Sequence, residues 1–477
     1  MRTRSSHSES LPAILKKKKS DCVNESRTEK DNRKTMKKRF QTYILSLLTL
    51  LSSSIYGQIP VIQTPQPANM PTVPNYTPQT NNYPTISNYS TQSQKNQLDM
   101  YEQDRRMIER RDAELKKTLN QYNTGRHGIQ YNIPSKADKQ AAESYLKAAK
   151  LLNNMLNGTI PISLKDAVFT VDNTFTKGNL DYSKYNKAIQ TLVTTAKLAT
   201  KQDGYNWNDP VTRNAMLFRV MSDTLKIKTP NKESTITSYP MRYNYDDYNG
   251  AKDWMSMSVS KLLATQKGQC HSMPLLYLIM CEATNTEASL AFSPRHSYVK
   301  FKDETGKWYN LELTNGFITS DALIIGSGFI TADALKSKIY MEPQTKKEVI
   351  AECLNDLASN YVHDYGYDGF ALQCANSALK YAPNSLRSMS IKANCMTDKF
   401  EYVVNQVGRP HPDSLRVHYP KIYKILEERN KTYRWLDECG YRDMPEEAYN
   451  KWLNFIGREK EKQEKQDKTR FLIQSTK

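Results

Sequence analysis

Lys267-Gly-Gln-Cys-His-Ser-Met-Pro274, Pro294-Arg-His-Ser-Tyr-Val299 and Lys307-Trp-Tyr-Asn-Leu-Glu-Leu-Thr314 supply a cysteine, a histidine and a carboxylate, in that order. A thiolate at Cys270 would attack a carbonyl, and an imidazole at His296 would take up and return the proton. A carboxylate at Glu312 would fix the imidazole tautomer. Pro274 locates the first of the three. Proline lacks a backbone N–H and is tolerated in a helix only within its first turn. The apolar run Leu275–Cys281 reads as a helix, so that helix begins near Gln269–Ser272 with Cys270 at its N-terminus. There, aligned peptide dipoles and free N–H groups favour a thiolate and can hold an oxyanion. Gly268 lets the chain turn sharply just before it.

The other two residues fall on strands. Ala288–Ser293 and His296–Phe301 alternate with period two, which puts His296 on one face with Tyr298 and Lys300. Asp303-Glu-Thr-Gly306 is a turn, and Lys307–Leu313 alternates again. An antiparallel hairpin of this kind brings Glu312 beside His296 and lays both against the cysteine helix. Asn310, on the same strand face as Glu312, is the alternative third member. Taken singly, a lone cysteine is most often a small buried hydrophobe and a lone histidine a structural hydrogen-bonder. Their order and settings together carry the reading.

These segments resemble the transglutaminase-like superfamily, which shares its Cys–His–Asp logic with papain-type enzymes. The resemblance rests on G-x-C at a helix start, then a histidine opening a strand (His296-Ser-Tyr-Val299), then Trp308-x-x-x-Glu312-x-Thr314 on the next strand. It is closest to a bacterial branch of the superfamily, over Gly268–Tyr277 and Trp308–Gly316, and covers about residues 245–320. The resemblance implies an α+β fold with a papain/transglutaminase-like core, in which a helix bearing the cysteine packs on an antiparallel sheet. It also implies flanking helical regions, the C-terminal one tetratricopeptide-like. Carried over, Cys270 is the nucleophile, His296 the base and Glu312 the orienting acid, with glutamate in place of the more frequent aspartate. The implied activity is that of a cysteine hydrolase or acyltransferase on amide bonds of protein or peptide. The rival reading is a catalytically inactive scaffold that binds a protein partner through its repeat helices.

The formal charge of +18 from 68 Lys+Arg and 50 Asp+Glu says less than it suggests, because residues 1–40 hold much of the basic excess. Without an aromatic-interleaved basic patch, nucleic-acid binding gains no support. Met36-Lys-Lys-Arg-Phe40 precedes an uncharged stretch, Gln41–Gly57, with an apolar centre at Tyr43–Leu51. That is the layout of a secretory signal peptide cleaved before Gln58, with Met36 an alternative start. If retained, residues 41–57 would be a membrane anchor. Export to the periplasm or the medium is therefore expected. In an oxidising compartment Cys281, Cys353, Cys374, Cys395 and Cys439 could include one or two bridges, in a pattern the sequence leaves open. No C-x-x-C or His/Cys cluster has metal-ligand spacing, and no cofactor is implied.

Along the chain, residues 1–57 form a basic extension plus signal peptide or anchor, and 58–97 a Pro/Asn/Thr/Gln-rich spacer that cannot bury enough surface to fold. Residues 98–240 read as helical. A charged helix comes first, then helices over 135–157, from Ser163, from Asp181, and over 211–225. The catalytic core spans 241–330. Its upstream polar aromatic stretch and the approach to the nucleophile offer Trp254, Gln266 and Gln269 as oxyanion or substrate-lining groups; a packed tryptophan and exposed glutamines are the plainer alternative. Residues 345–456 form the repeat-like region, with helices over Glu348–Tyr361 and Asp368–Tyr381. A tail over 457–477 alternates in charge and reads as a solvated helix.

Overall fold

In the computed structural model the described residues are 128–228, 235–248, 250–442 and 458–465, with isolated helical positions at 106, 109–111, 113, 114 and 447. The expected signal segment and the spacer lie outside them. Of the described residues, one unit holds Tyr131–Tyr402 and those from Lys421 on; a second holds those up to Gln130 together with Val403–Pro420.

The larger unit mixes a majority of helix with small sheets. It opens with α1 (Lys139–Leu156), α2 (Leu164–Phe175), α3 (Tyr182–Gln202) and α4 (Pro210–Ser222). Each starts where a short acceptor side chain satisfies a free first-turn N–H: Asp138, Ser163, Asp181 and Asp209 accept from the third residue beyond. Helix α4 stops at Ser222, short of the expected Leu225. Asp223 turns extended, and Leu225 opens β1 (Leu225–Lys228), paired antiparallel with β2 (Thr235–Ser238). Burial alternates along β1, a two-residue period in place of the helical one expected at Leu225.

Next come β3 (Arg242–Tyr243), α5 (Val259–Thr265) and β4 (Lys267–Gly268), the two short strands pairing in parallel. Helix α6 (Ser272–Ala283) follows, buried at every position from Ser272 to Cys281. A helix apolar all round must be enclosed, and α2, α3, α4 and α5 all lie against it. Glu282, near its C-terminal end, accepts from the backbone N–H groups of Leu164 at 2.8 Å and Lys165 at 3.0 Å. The Tyr277 hydroxyl donates to Asn214 Oδ1 at 2.8 Å. These polar pins fix how far α6 slides and rotates among its neighbours.

A four-stranded antiparallel meander comes next: β5 (Ser289–Ser293), β6 (His296–Lys302), β7 (Trp308–Glu312) and β8 (Phe317–Thr319). The first three sit within a residue or two of the expected strands. The fourth is only three residues long, too short for alternation to announce it. Helix α6 lies against β5 and β6. The face of β6 that carries Tyr298 is covered by another layer, built from α7 (Asp321–Gly328), α8 (Ala332–Lys336) and the segment Ile339–Met341. There Tyr298 packs with Ile324, Ile330, Ala334 and Tyr340.

Helices α9 (Lys346–Tyr365) and α10 (Gly369–Leu379) form an antiparallel pair, α9 opened by a reciprocal capping box of Thr345 and Glu348. Helix α9 packs on α1 and α2, and an aromatic cluster of Tyr145, Tyr361, Tyr365 and Phe370 joins α1 to the pair. Helix α11 (Leu386–Asn405) runs out of this unit, α12 (Pro412–His418) belongs to the second, and α13 (Pro420–Glu438) returns. The six described cysteines are all free thiols, which corrects the expected bridges. Cys281, Cys353, Cys374 and Cys395 are buried as small apolar groups on helices and Cys439 in the turn after α13, and burial pushes each thiol up. The tail expected to be solvated is helical over 458–465 but docked: Lys460 Nζ meets Asp246 Oδ1 at 2.7 Å and Gln463 Nε2 donates to the Tyr243 carbonyl at 3.1 Å.

Candidate active site

Regular α6 begins at Ser272, two residues after Cys270, with Pro274 its third residue. The Met273 N–H already reaches the Gln269 carbonyl at 3.1 Å, so the helical turn includes Cys270. Gly268 is required here for space. A Cβ on it would stand 2.7 Å from Ser272 Oγ and 2.9 Å from Leu262 Cδ1. Ser272 Oγ uses that gap to accept the Gln269 N–H at 3.0 Å. The half-buried Cys270 is thus presented by a short, tightly closed turn.

On the sheet, β5 and β6 are joined by Pro294 and Arg295 alone, with Ser293 opposite His296. Arg295 has φ 56°, a left-handed conformation unusual for a side chain with a Cβ. Such strain concentrates at functional turns. Here it brings the Arg295 carbonyl oxygen to 4.0 Å from Cys270 Sγ. Ser297 Oγ donates to the Cys270 carbonyl at 2.6 Å. Sequence reasoning singles out neither residue; Pro-Arg between two alternating runs is the available signal.

β6 and β7 pair with Val299 opposite Leu311. That register makes His296 a diagonal neighbour of Glu312 on one face, within reach of long side chains. His296 Nε2 and Glu312 Oε2 stand 2.7 Å apart, with side chains 28% and 12% exposed. Nε2–H therefore donates to the carboxylate, and Nδ1 is the nitrogen left for Cys270. Burial disfavours a charged His296 ring. The Glu312 carboxylate and the hydrogen bond with Cys270 outweigh it and hold the ring well above the ordinary histidine value. The expected triad residues are thus neighbours. One detail differs from expectation: His296 and Glu312 sit on the sheet face covered by the 324–341 layer. Cys270 reaches them around the Pro294–Arg295 corner rather than through the body of α6.

Behind the carboxylate, Asn310 is buried and its Nδ2 donates to Asp321 Oδ1 at 2.7 Å, while His296 Nε2 is taken by Glu312 and not by Asn310. Lys300, also buried, reaches Asp321 at 3.4 Å and the Met341 carbonyl at 3.2 Å. Of the three weaker candidates, Gln269 is buried and its amide donates to the Asp247 carbonyl. It ties the nucleophile turn to the Tyr245–Asp247 segment. Gln266 is an exposed, left-handed cap at the end of α5, whose carbonyl accepts from Arg242 N–H. Trp254 donates to Asn360 Oδ1 at 2.7 Å and packs on the His363 ring. It lines a separate cavity with His271 and Asp356. The packed tryptophan and exposed glutamine are therefore what the structure shows at 254 and 266. Among the described residues, no group of His, Cys, Asp and Glu is arranged to hold a metal ion, and no helix is long and apolar enough to cross a membrane.

No family model matches the chain, and no curated protein does. Among solved structures, a crystal structure of menin, described as revealing the binding site for Mixed Lineage Leukemia (MLL) protein, is similar over 65% of this chain and 76% of that one. The identity is 14% and the TM-score 0.26, a superposition too loose to fix a shared fold.

Proposed function

We propose that the chain is a cysteine-dependent amide-bond hydrolase or acyltransferase of transglutaminase-like type, acting on protein or peptide through Cys270, His296 and Glu312. The observation that carries this reading is the 2.7 Å His296–Glu312 bond, which leaves the other ring nitrogen to a half-buried thiol at a helix start. Cys270 Sγ attacks the amide carbon and forms the C–S bond, while N–H groups of the first turn take the oxyanion. His296 protonates the leaving nitrogen as the C–N bond breaks, giving a thioester and free amine. Water or a second amine then attacks the thioester, giving its proton to His296, and the thiol is regenerated.

Glu312 holds the ring in the tautomer with hydrogen on Nε2 and offsets its positive charge. The basic flank, apolar run and uncharged spacer before the folded part support export, to be checked by N-terminal sequencing of the native protein. The deciding experiment incubates the protein with a small thiol-directed electrophile at mildly acidic pH, then assays hydrolysis and amine incorporation on a peptide library. Selective alkylation of Cys270, and peptide turnover abolished in Cys270→Ala, are expected. Equal turnover in that variant removes the nucleophile. A folded protein with no selective alkylation and no turnover supports the inactive, partner-binding scaffold instead.

A further inference from the structure

Immediately beside the nucleophile stands a second histidine–carboxylate pair that the reaction does not use. His271 has helical backbone angles, φ −89° and ψ −52°. Successive side chains in such a turn diverge by about 100°. While Cys270 faces the Arg295 corner, His271 points back toward α9. Its Nε2–H donates to Asp356 Oδ2 at 2.9 Å, and Asp356 Oδ1 accepts from Arg387 Nη2 at 2.7 Å. Arg387 also reaches Glu352 Oε2 at 3.2 Å, and Glu352 takes the Ser385 hydroxyl at 2.7 Å. Burial alone would raise the Asp356 carboxyl; His271 and Arg387 instead hold it well below the usual carboxylate range. Asp172, across the same cavity, is a further titratable group near the ring, its carboxyl raised to about 7 by burial. The chain of contacts is polar, fully partnered and rooted in two long helices, so its end at His271 is rigid.

We propose that His271 is a positioning residue: its bond to Asp356 fixes the 269–272 turn and thereby aims the Cys270 thiol at His296. The inference rests on the triad reading above. His271 occupies the cap position of α6 yet makes no side-chain cap bond, so its ring serves the Asp356 contact and not the helix start. The turn is tethered from outside at three residues, by Gln269 on the Asp247 carbonyl, by Ser297 on the Cys270 carbonyl and by Asp356 on His271. A cavity of about 100 Å³ adjoins the ring, lined also by Trp254, Asp356 and Arg387. With the Asp356 bond cut, the ring has room to swing and the turn can follow.

The test is the rate of Cys270 alkylation by iodoacetamide against pH, measured by mass spectrometry on folded full-length protein beside its melting temperature. His296→Ala fixes the effect of losing the imidazole. His271→Ala is expected to move the midpoint of the profile in the same alkaline direction, by about one pH unit or more, the scale of losing a nearby opposite charge. His271→Gln, whose Nε2 can still donate to Asp356, should restore the wild-type midpoint. Asp356→Asn gives a second route to the same loss if His271→Ala does not fold. Loss of stability alone would lower the melting temperature without moving the midpoint. A shift in His296→Ala but in neither His271→Ala nor Asp356→Asn overturns the positioning role and leaves the triad standing. No shift in His296→Ala overturns the triad and the inference with it.

Discussion

Glu312→Gln keeps the shape of the orienting residue and removes its charge. The substitution takes away a 2.7 Å charge-assisted bond between groups 28% and 12% exposed. Hydrogen bonds to charged groups contribute about 1.5–3 kcal/mol. Each 1.36 kcal/mol is tenfold in rate, so loss of this bond alone slows the acylation step by about 10- to 150-fold. A glutamine can also offer its N–H to the ring and trap the wrong tautomer, so the expected loss is about 10²-fold, smaller than for Cys270→Ala. Glu312→Asp should lose less. The pair also predicts a pH signature. The folded state raises His296 above its unfolded value near 6.5. Its stabilisation is therefore fully present below that value and is lost as pH rises through the folded value. The stability gap between wild type and Glu312→Gln should be widest in mild acid and narrow toward alkaline pH. Denaturant unfolding across pH, with peptide turnover in the same buffers, measures both. Unchanged turnover together with a pH-independent gap would refute the third member of the triad.

Other outcomes follow from the surrounding structure. Gly268→Ala should destabilise the protein by about 1–3 kcal/mol, the usual scale of overpacking, and slow Cys270 alkylation, because a Cβ there meets Ser272 and Leu262; chemical denaturation and alkylation kinetics check it. Arg387→Met leaves the buried Glu352 and Asp356 without their guanidinium and should cost about 2–4 kcal/mol, the lower side of a broken buried pair, since Arg387 is partly exposed; urea unfolding measures it. Asp172 is raised by burial to about 7. The folded state therefore keeps this proton where the unfolded chain has lost it, and stability falls as pH rises from about 4 to 7. Asp172→Asn should flatten that part of the stability profile.

What was legible in the sequence was local. Pro274, Gly268 and the alternation on either side of Asp303–Gly306 placed the cysteine turn and two strands, because each of these signals acts within a few residues. His296 and Glu312 could be brought together because a short hairpin fixes register. The Asp356–Arg387 chain was illegible: it joins residues far apart in sequence through two helices whose own patterns are ordinary. The same holds for Trp254, whose partner Asn360 sits on α9. Strand β1 is hidden in the sequence because Leu225 continues the helical stripe of α4. The expected bridges fail because cysteines counted in sequence carry no information on which helix face they occupy.

The two histidines of the site show why similar pairs need not share a role. His296 and His271 each hold a carboxylate through Nε2 at hydrogen-bond distance, 2.7 and 2.9 Å. The difference lies in what else each pair touches. Asp356 is shared with Arg387, so its charge is already matched by a second partner. Glu312 has the His296 ring for its partner, with a thiol on the far side of that ring. In the proposed reaction the ring at 296 would exchange a proton with sulfur while its charge stays offset, as general acid–base chemistry requires. Placing one pair at the ends of two central strands and the other between helices keeps the two charge systems on opposite sides of a single turn.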